Sequence, residues 1–154
     1  PAAARGWLKR AGIGMTAGEA ERLAARVLAL FDDPALAALF GPHSRAEVPM
    51  VGEVGGHVVG GTVDRLAVLA DAVLVADYKS NRQPPAEPAA TPVLYVRQMA
   101  AYRAVLRAIF PDRPVRCFLV WTETTSPLRL PDALLDAHGL IPPAGATTWH
   151  ATNP

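Results

Sequence analysis

Cysteine is almost absent from this sequence, and the single residue, Cys117, excludes a disulfide within the chain. It also excludes a zinc or iron–sulfur site built from several cysteines of this chain alone. Aromatic residues make up 6% of the sequence, so the core must be built from Leu, Val, Ala and Ile. No apolar run approaches the roughly 20 residues of a membrane-spanning helix. These absences predict a reducing, cytoplasmic compartment and no membrane partner.

The sequence also lacks an initiator methionine and the regions of a signal peptide. We expect a part of a larger protein, with one domain at residues 1–140 and a loosely ordered tail at residues 141–154. The net charge is only +1, because the sequence has 15 basic and 14 acidic residues. A domain that binds DNA would therefore need clustered charge or the help of another domain.

Hydrophobic periodicity predicts a mixed α/β sheet flanked by helices. The predicted helices are residues 16–30, 35–40, 95–110 and 131–138, and the predicted strands are residues 47–54, 57–69, 72–78 and 115–122. Thr16 and Glu19 form a capping-box pattern at the start of the first helix. Because a long helix separates the last two strands, we expect these strands to be parallel neighbours joined by a right-handed crossover.

Two acidic residues fall on successive predicted strands. If these strands pair as a hairpin around Asp71, Asp64 and Asp77 lie close together across the ladder. Lys79 shares a face with Asp77 because side chains alternate along a strand. Neighbouring carboxylates repel one another unless a proton or a cation intervenes. Mg²⁺ uses one or two carboxylates, waters and a phosphate oxygen, and the backbone carbonyl of Tyr78 could complete this set.

Such a group could hydrolyse a phosphodiester. The ion would polarise the phosphate and acidify a water, and Lys79 would orient or deprotonate that water and stabilise charge on phosphorus. An isolated aspartate at a strand end, or an isolated D-x-K, is more often a turn or surface feature. Catalysis is favoured here by the combination of an acid after Gly-Thr-Val, a fully apolar strand, and then D-x-K.

Residues 61–66 (GTVDRL), 75–82 (VADYKSNR) and 95–102 (YVRQMAAY) together resemble the nuclease domain of the RecB family, which has the restriction-endonuclease-like fold. The similarity covers residues 46–138 and looks most like the C-terminal part of the AddA subunit of AddAB helicase–nucleases. It implies a Mg²⁺-dependent exodeoxyribonuclease, in which Mn²⁺ can substitute, that processes double-strand DNA ends for recombinational repair. The implied partners are DNA, helicase domains of the same chain and a second, AddB-like subunit.

The resemblance also implies roles for individual residues. Asp64 and Asp77 would bind the metal, and Lys79 would be catalytic. Gln98 and Tyr102 match the family's Q-x-x-x-Y motif and would contact DNA or steady the metal ligands. Their i and i+4 spacing places both on one helix face, although spacing alone favours a core Tyr102 and a surface Gln98.

Three further residues bear on the predicted site. Asn81 and Arg82 follow the D-x-K motif and are candidates for DNA contact. The family usually carries a metal-ligating histidine on a helix before the first strand, whereas His43 follows Gly-Pro in a predicted loop. We expect the family's histidine upstream of Pro1, and its absence would weaken metal binding by this fragment.

Two other functions remain open. One is a catalytically inactive nuclease-like module that binds DNA or docks a helicase partner, which the near-neutral charge favours. The other is a metal-dependent hydrolase of small phosphoesters. The sequence has no phosphate-cradling glycine loop followed by Lys-Ser/Thr, which excludes a P-loop ATPase.

Glu47 and Arg65 are weaker site candidates, for the metal and for phosphate respectively.

Overall fold

The computed structural model describes residues 6–7, 14–34, 36–80, 84–122, 124, 126–139 and 149–150. Its helices and strands there are α1 (Ala17–Asp32), β1 (Ser44–Val54), β2 (His57–Val68), β3 (Val73–Lys79), α2 (Val93–Ile109), β4 (Val115–Trp121), β5 (Ser126–Leu130), α3 (Asp132–Ala137) and β6 (Trp149–His150). Short 3₁₀ helices span Ala37–Phe40 and Pro88–Ala90.

The strands form one mixed sheet in the order β1-β2-β3-β4-β5. Strands β1, β2 and β3 are antiparallel neighbours, β3 and β4 are parallel, and β5 is antiparallel to β4. Strand β6 pairs in parallel with β2. The predicted hairpin around Asp71 is present, and the amide of Leu69 donates to the carbonyl of Ala72 at 2.8 Å. The predicted mixed sheet is confirmed. The strands that precede and follow the long helix in the sequence, β3 and β4, are parallel neighbours, as predicted.

Local sequence signals explain where two of these elements begin or turn. Thr16 and Glu19 form the predicted capping box, in which the Glu19 amide donates to Thr16 Oγ1 at 3.3 Å. Gly55 and Gly56, with φ of 59° and 79°, form the two-residue turn between β1 and β2. A turn of this kind needs left-handed backbone at both positions, which glycine adopts without strain.

Apolar side chains are buried on both faces of the sheet. On the α2 face, Val63 and Val75 pack with Met99 of α2. On the α1 face, Leu74 packs with Leu30 of α1. Strand β3 contributes to both clusters, as its uninterrupted apolar run predicted for a strand buried on two sides.

One rung of the β1–β2 ladder is interrupted. The register pairs Val48 with Val63 and continues in step on the other side, but it omits Glu47 and Asp64. Glu47 has a φ of 50°, an uncommon backbone conformation for a residue other than glycine. The two strands therefore lose regular geometry at the same level of the sheet.

The interrupted rung changes which face the following side chains occupy. Val63 is buried on the α2 face, whereas Arg65 stacks over the Phe40 ring, which belongs to the α1 face, at 5.1 Å. Residues two apart share a face in a regular strand. The break between Val63 and Arg65 therefore allows Asp64 to lie on the α2 face together with Val63.

Several predicted boundaries differ from the observed ones. Residues 35–40 were predicted as an α-helix, but the structure has the 3₁₀ helix Ala37–Phe40 there. Strand β5 was missed, because Pro127 breaks the pattern; an edge strand tolerates proline, which lacks a backbone N–H. Of the predicted tail, only residues 149–150 lie within the described part of the chain, where they form β6. None of the described helices combines the length and apolar character needed to traverse a bilayer.

Candidate active site

Asp77 and Lys79 form a buried ion pair at the C-terminal end of β3. Lys79 Nζ lies 2.6 Å from Asp77 Oδ2, and the side chains are 4% and 1% exposed. Alternation along the strand places both on the same face, as predicted. Charged groups removed from water must be satisfied by other protein groups, so their remaining partners define the site.

Gln98 of α2 bonds to both members of this pair. Its Oε1 accepts a hydrogen bond from Lys79 Nζ at 2.9 Å, and its Nε2 donates to Asp77 Oδ1 at 3.4 Å. The acceptor end of the amide thus meets the cation and the donor end meets the anion. The surface position that spacing alone favoured for Gln98 is wrong, since the residue is 5% exposed.

Tyr102 links this group to β2. Its hydroxyl donates to the Thr62 carbonyl at 3.1 Å and accepts from Gln98 Nε2 at 3.3 Å. Burial raises the pKa of the Tyr102 phenol, and the hydrogen bond with Gln98 partly offsets this. A Cβ at Gly61 would lie 2.9 Å from the Tyr102 hydroxyl. Glycine at position 61 therefore lets the tyrosine approach the strand.

Asp64 reaches the same region from β2. Its Oδ2 accepts a hydrogen bond from the backbone nitrogen of Tyr78 at 2.6 Å. The β2–β3 register, extended by one rung beyond its last pair, sets Asp64 opposite Asp77. The negative charge of Asp64 also raises the pKa of both Asp77 and Tyr102, which lie on the α2 face. The structure thus brings Asp64 and Asp77 together on one face of the sheet.

The protonation of Asp77 depends on opposing influences. Burial is the largest and raises its pKa above the ordinary value, the nearby Lys79 ammonium lowers it, and the charge of Asp64 raises it. Asp77 Oδ2 is buried and, apart from the contact with Lys79, has no hydrogen-bond partner among the described residues. A second cation beside this oxygen would favour the ionised carboxylate.

The oxygen donors present here fit a hard divalent cation. The Tyr78 amide points towards Asp64, and the carbonyl of a strand residue points to the same side as its N–H. That carbonyl therefore faces the edge of β3 beyond the last β2–β3 pair. Two carboxylates and a carbonyl suit Mg²⁺, which keeps several waters. Among the described residues, no three His, Cys, Asp or Glu side chains cluster as a metal site.

Other residues considered from the sequence do not join this group. Asn81 and Arg82 lie outside the described residues. Arg65 stacks over Phe40 on the α1 face and so points away from Asp77. Glu47 is exposed at the interrupted rung of β1.

Tyr95 is a neighbour of the site that was not predicted from the sequence. Lys79 Nζ lies 4.1 Å from the centre of the Tyr95 ring, within the range of a cation–π interaction. Tyr95 precedes Gln98 by three residues, so the two share one face of α2. This spacing was the available signal.

A family model for the PD-(D/E)XK nuclease superfamily matches residues 2–137 of the chain. The chain belongs to this superfamily. Its members are generally nucleases that use divalent metals such as Mg²⁺, and the mixed sheet with flanking helices agrees with a restriction-endonuclease-like fold. In this PD-(D/E)XK chain, Asp77, Tyr78 and Lys79 fit the (D/E)XK part of the name. Asp64 fits the first aspartate, with Val63 in place of the proline.

Two solved structures resemble this PD-(D/E)XK domain more distantly. The crystal structure of SSO0001 has 13% identity and a TM-score of 0.39, with 77% of this chain and 64% of that chain covered. The protein VC1899 from Vibrio cholerae has 17% identity and a TM-score of 0.35, with 86% of this chain and 32% of that chain covered. The domain thus spans less than two thirds of either chain, and neither likeness bears on the assignment. No curated protein matches the sequence.

Proposed function

We propose that this domain is a Mg²⁺-dependent deoxyribonuclease in which Asp64 and Asp77 hold the ion and Lys79 acts on the scissile phosphate. One observation carries the proposal: two acids from neighbouring strands share a face, with an ammonium group 2.6 Å from one of them. Hydrolysis of a phosphodiester needs anionic oxygen ligands for the ion and positive charge beside the reacting phosphate.

The reaction is attack of a water oxygen on phosphorus with cleavage of a P–O ester bond. The water loses a proton and the leaving oxygen gains one, so one product ends in phosphate and the other in hydroxyl. Bound Mg²⁺ would supply Lewis-acid polarisation of a phosphate oxygen and acidification of a water. Lys79 is paired with a carboxylate as an ammonium, which has no lone pair to accept a proton. We therefore assign it to positioning and charge stabilisation rather than to a general base.

The finer proposal is an exodeoxyribonuclease within a cytoplasmic helicase–nuclease that processes double-strand ends for recombinational repair. The resemblance of residues 46–138 to the C-terminal part of AddA supports it. The proposed partners are DNA, helicase domains of the same chain and an AddB-like subunit. A net charge of +1 suits a domain that shares DNA binding with its neighbours.

Cleavage of linear and closed circular DNA, with Mg²⁺, with Mn²⁺ and with a chelator, tests the proposal. Metal-dependent loss of the linear substrate alone is expected; Asp77→Asn should abolish it and Lys79→Met should slow it at least about 10²-fold. Asp71→Asn is the matched control, because Asp71 is an exposed acid in the turn that joins β2 to β3. Each variant is compared by circular dichroism to show that the fold survives.

Any longer natural form of the chain is assayed in parallel, because helicase domains of the same chain are part of the proposal. Cleavage that continues undiminished in Asp77→Asn and Lys79→Met would eliminate the hypothesis. DNA binding without cleavage in all of these assays would favour a non-catalytic module. Turnover of a generic phosphodiester but not of DNA would favour a hydrolase of small phosphoesters.

A further inference from the structure

The ammonium group of Lys79 has neighbours from two elements. Asp77 Oδ2 on β3 lies at 2.6 Å, Gln98 Oε1 on α2 lies at 2.9 Å, and the Tyr95 ring centre on α2 lies at 4.1 Å. An ammonium has three N–H donors, and these contacts provide two polar partners and one aromatic face. The ring thus occupies the side of a buried cation that water would otherwise occupy.

The start of α2 fixes the place of this ring. Pro92 is the N-cap residue of the helix, and its carbonyl accepts a hydrogen bond from the Tyr95 amide at 2.9 Å. Tyr95 is half-buried and packs against the core of the α2 face. Because Tyr95 and Gln98 are three residues apart, one helix turn presents an amide oxygen and an aromatic face to the same lysine.

The three contacts depend on Asp77 to different degrees. Asp77 is the carboxylate proposed to hold the cation, so its attraction for Lys79 would be shared when that ion is bound. Gln98 is also bonded to Asp77, through Nε2. The attraction of the Tyr95 ring for a cation comes from the ring quadrupole and does not require the carboxylate.

We propose that Tyr95 is a positioning residue, whose ring holds the Lys79 ammonium in place for its action on the phosphate. This inference rests on the proposed nuclease function, which it extends by one residue. The aromatic face, rather than the phenolic hydroxyl, performs the role. Tyr95→Phe should therefore retain it, and Tyr95→Leu should lose it.

The first test does not involve cleavage. Lys79 is one of two lysines in the sequence, the other being Lys9, so a protein labelled with ¹³C-lysine gives two sets of ε-methylene signals. Protons above an aromatic face are shifted upfield. One set should be shifted upfield in the metal-free wild type and in Tyr95→Phe, and should return to an ordinary position in Tyr95→Leu.

The second test is steady-state cleavage of linear DNA. Tyr95→Leu should lower kcat about tenfold with little change in KM, within the range expected for a desolvated cation–π contact. Tyr95→Phe should stay within about twofold of the wild type. Phe110→Leu is the matched control, because the Phe110 ring lies 5.8 Å from the Arg113 guanidinium, a second cation–aromatic pair after the end of α2. It should leave both constants unchanged.

The outcomes separate this inference from the proposed function. Unshifted lysine signals in the wild type, equal impairment of the Phe and Leu variants, or a change in KM alone would each overturn the role of Tyr95. Absence of cleavage by the wild-type protein under all metal conditions would overturn the nuclease proposal. In that case the lysine signals would still show whether the ring holds Lys79.

Discussion

The Oδ2 atom of Asp64 lies 2.6 Å from the backbone nitrogen of Tyr78, so the first acid of the site is bonded to the main chain beside the second. This contact gives Asp64 a structural role as well as its proposed chemical one. The two roles separate by substitution, because an asparagine can still accept the hydrogen bond but carries no charge.

Asp64→Asn should therefore abolish metal-dependent cleavage while the melting temperature stays near that of the wild type. Asp64→Ala should abolish cleavage and also lower the free energy of unfolding by about 1–3 kcal/mol, because the Tyr78 amide loses its acceptor. Thermal melts and a cleavage assay of both variants make the comparison, with Asp112→Ala as a surface control. Wild-type cleavage by Asp64→Asn would contradict the assignment.

Lys79→Met should separate metal binding from catalysis. In the structure the Lys79 ammonium is paired with Asp77 Oδ2, so a divalent ion must compete with the ammonium for this oxygen. Removing the ammonium should leave Mn²⁺ affinity equal to or tighter than that of the wild type, as measured by calorimetry. The same change should lower kcat by about 10²–10³-fold, the usual effect of losing a charge-stabilising donor. Weaker Mn²⁺ binding by this variant would show that the lysine does not compete.

The raised pKa of Asp77 predicts the direction of the pH dependence. The unfolded chain, with the ordinary value of 3.8, loses this proton at lower pH than the folded protein does. The stability contributed by Asp77 is therefore fully present below that value and declines as pH rises through the folded pKa. A cation requires the ionised carboxylate, so stabilisation by Mn²⁺ should grow over the same rise in pH. Melting curves of wild type and Asp77→Asn with Mn²⁺ measure this, and an equal metal response in the variant would contradict it.

Gly61→Ala should disturb the site through Tyr102, which is hydrogen-bonded to Gln98. The added Cβ would lie 2.9 Å from the ring and hydroxyl of Tyr102, which is 1% exposed and cannot move freely. Overpacking of this kind lowers the free energy of unfolding by about 1–3 kcal/mol and would displace the Tyr102–Gln98 bond. Gly60→Ala is the control, since its Cβ would have only the Met50 carbonyl nearby, at 3.9 Å. Equal melting temperatures for the two variants would refute the prediction.

Cys117 should report on unfolding and take no part in the chemistry. Burial raises the pKa of its thiol to about 12, and a neutral buried thiol reacts poorly with disulfide reagents. Labelling of the Cys117 thiol by such a reagent should therefore proceed only as fast as the protein unfolds and exposes it. The contribution of this thiol to the free energy of unfolding is fully present below its ordinary pKa of 9.0 and is lost as pH rises towards about 12. Rapid labelling under native conditions at neutral pH would contradict the burial of Cys117.

The pairing of β3 with its neighbours and the acid-x-Lys motif could be predicted from the sequence. The apolar run before Asp77 indicates a strand buried on both faces, and alternation then places Lys79 beside Asp77. The hairpin around Asp71 follows from the turn residues between two strands. These inferences depend on local periodicity, which a single sequence carries.

Contacts between distant elements could not be predicted in the same way. The burial of Gln98 depends on how α2 crosses the sheet, and its pattern on the helix is compatible with a surface position. Tyr95 was not singled out because its partner, Lys79, lies in another element. The change of face between Val63 and Asp64 depends on the interrupted rung, which no residue type in the sequence indicates.

The interrupted rung at Glu47 and Asp64 means that the path of the main chain decides which side chains flank this acid. In an unbroken strand that continued from Leu66, which packs on the α2 face, Asp64 would keep its place but Gly61 and Val63 would turn to the opposite face. Grafting the three charged side chains onto a regular pair of strands would consequently lose the glycine that admits Tyr102.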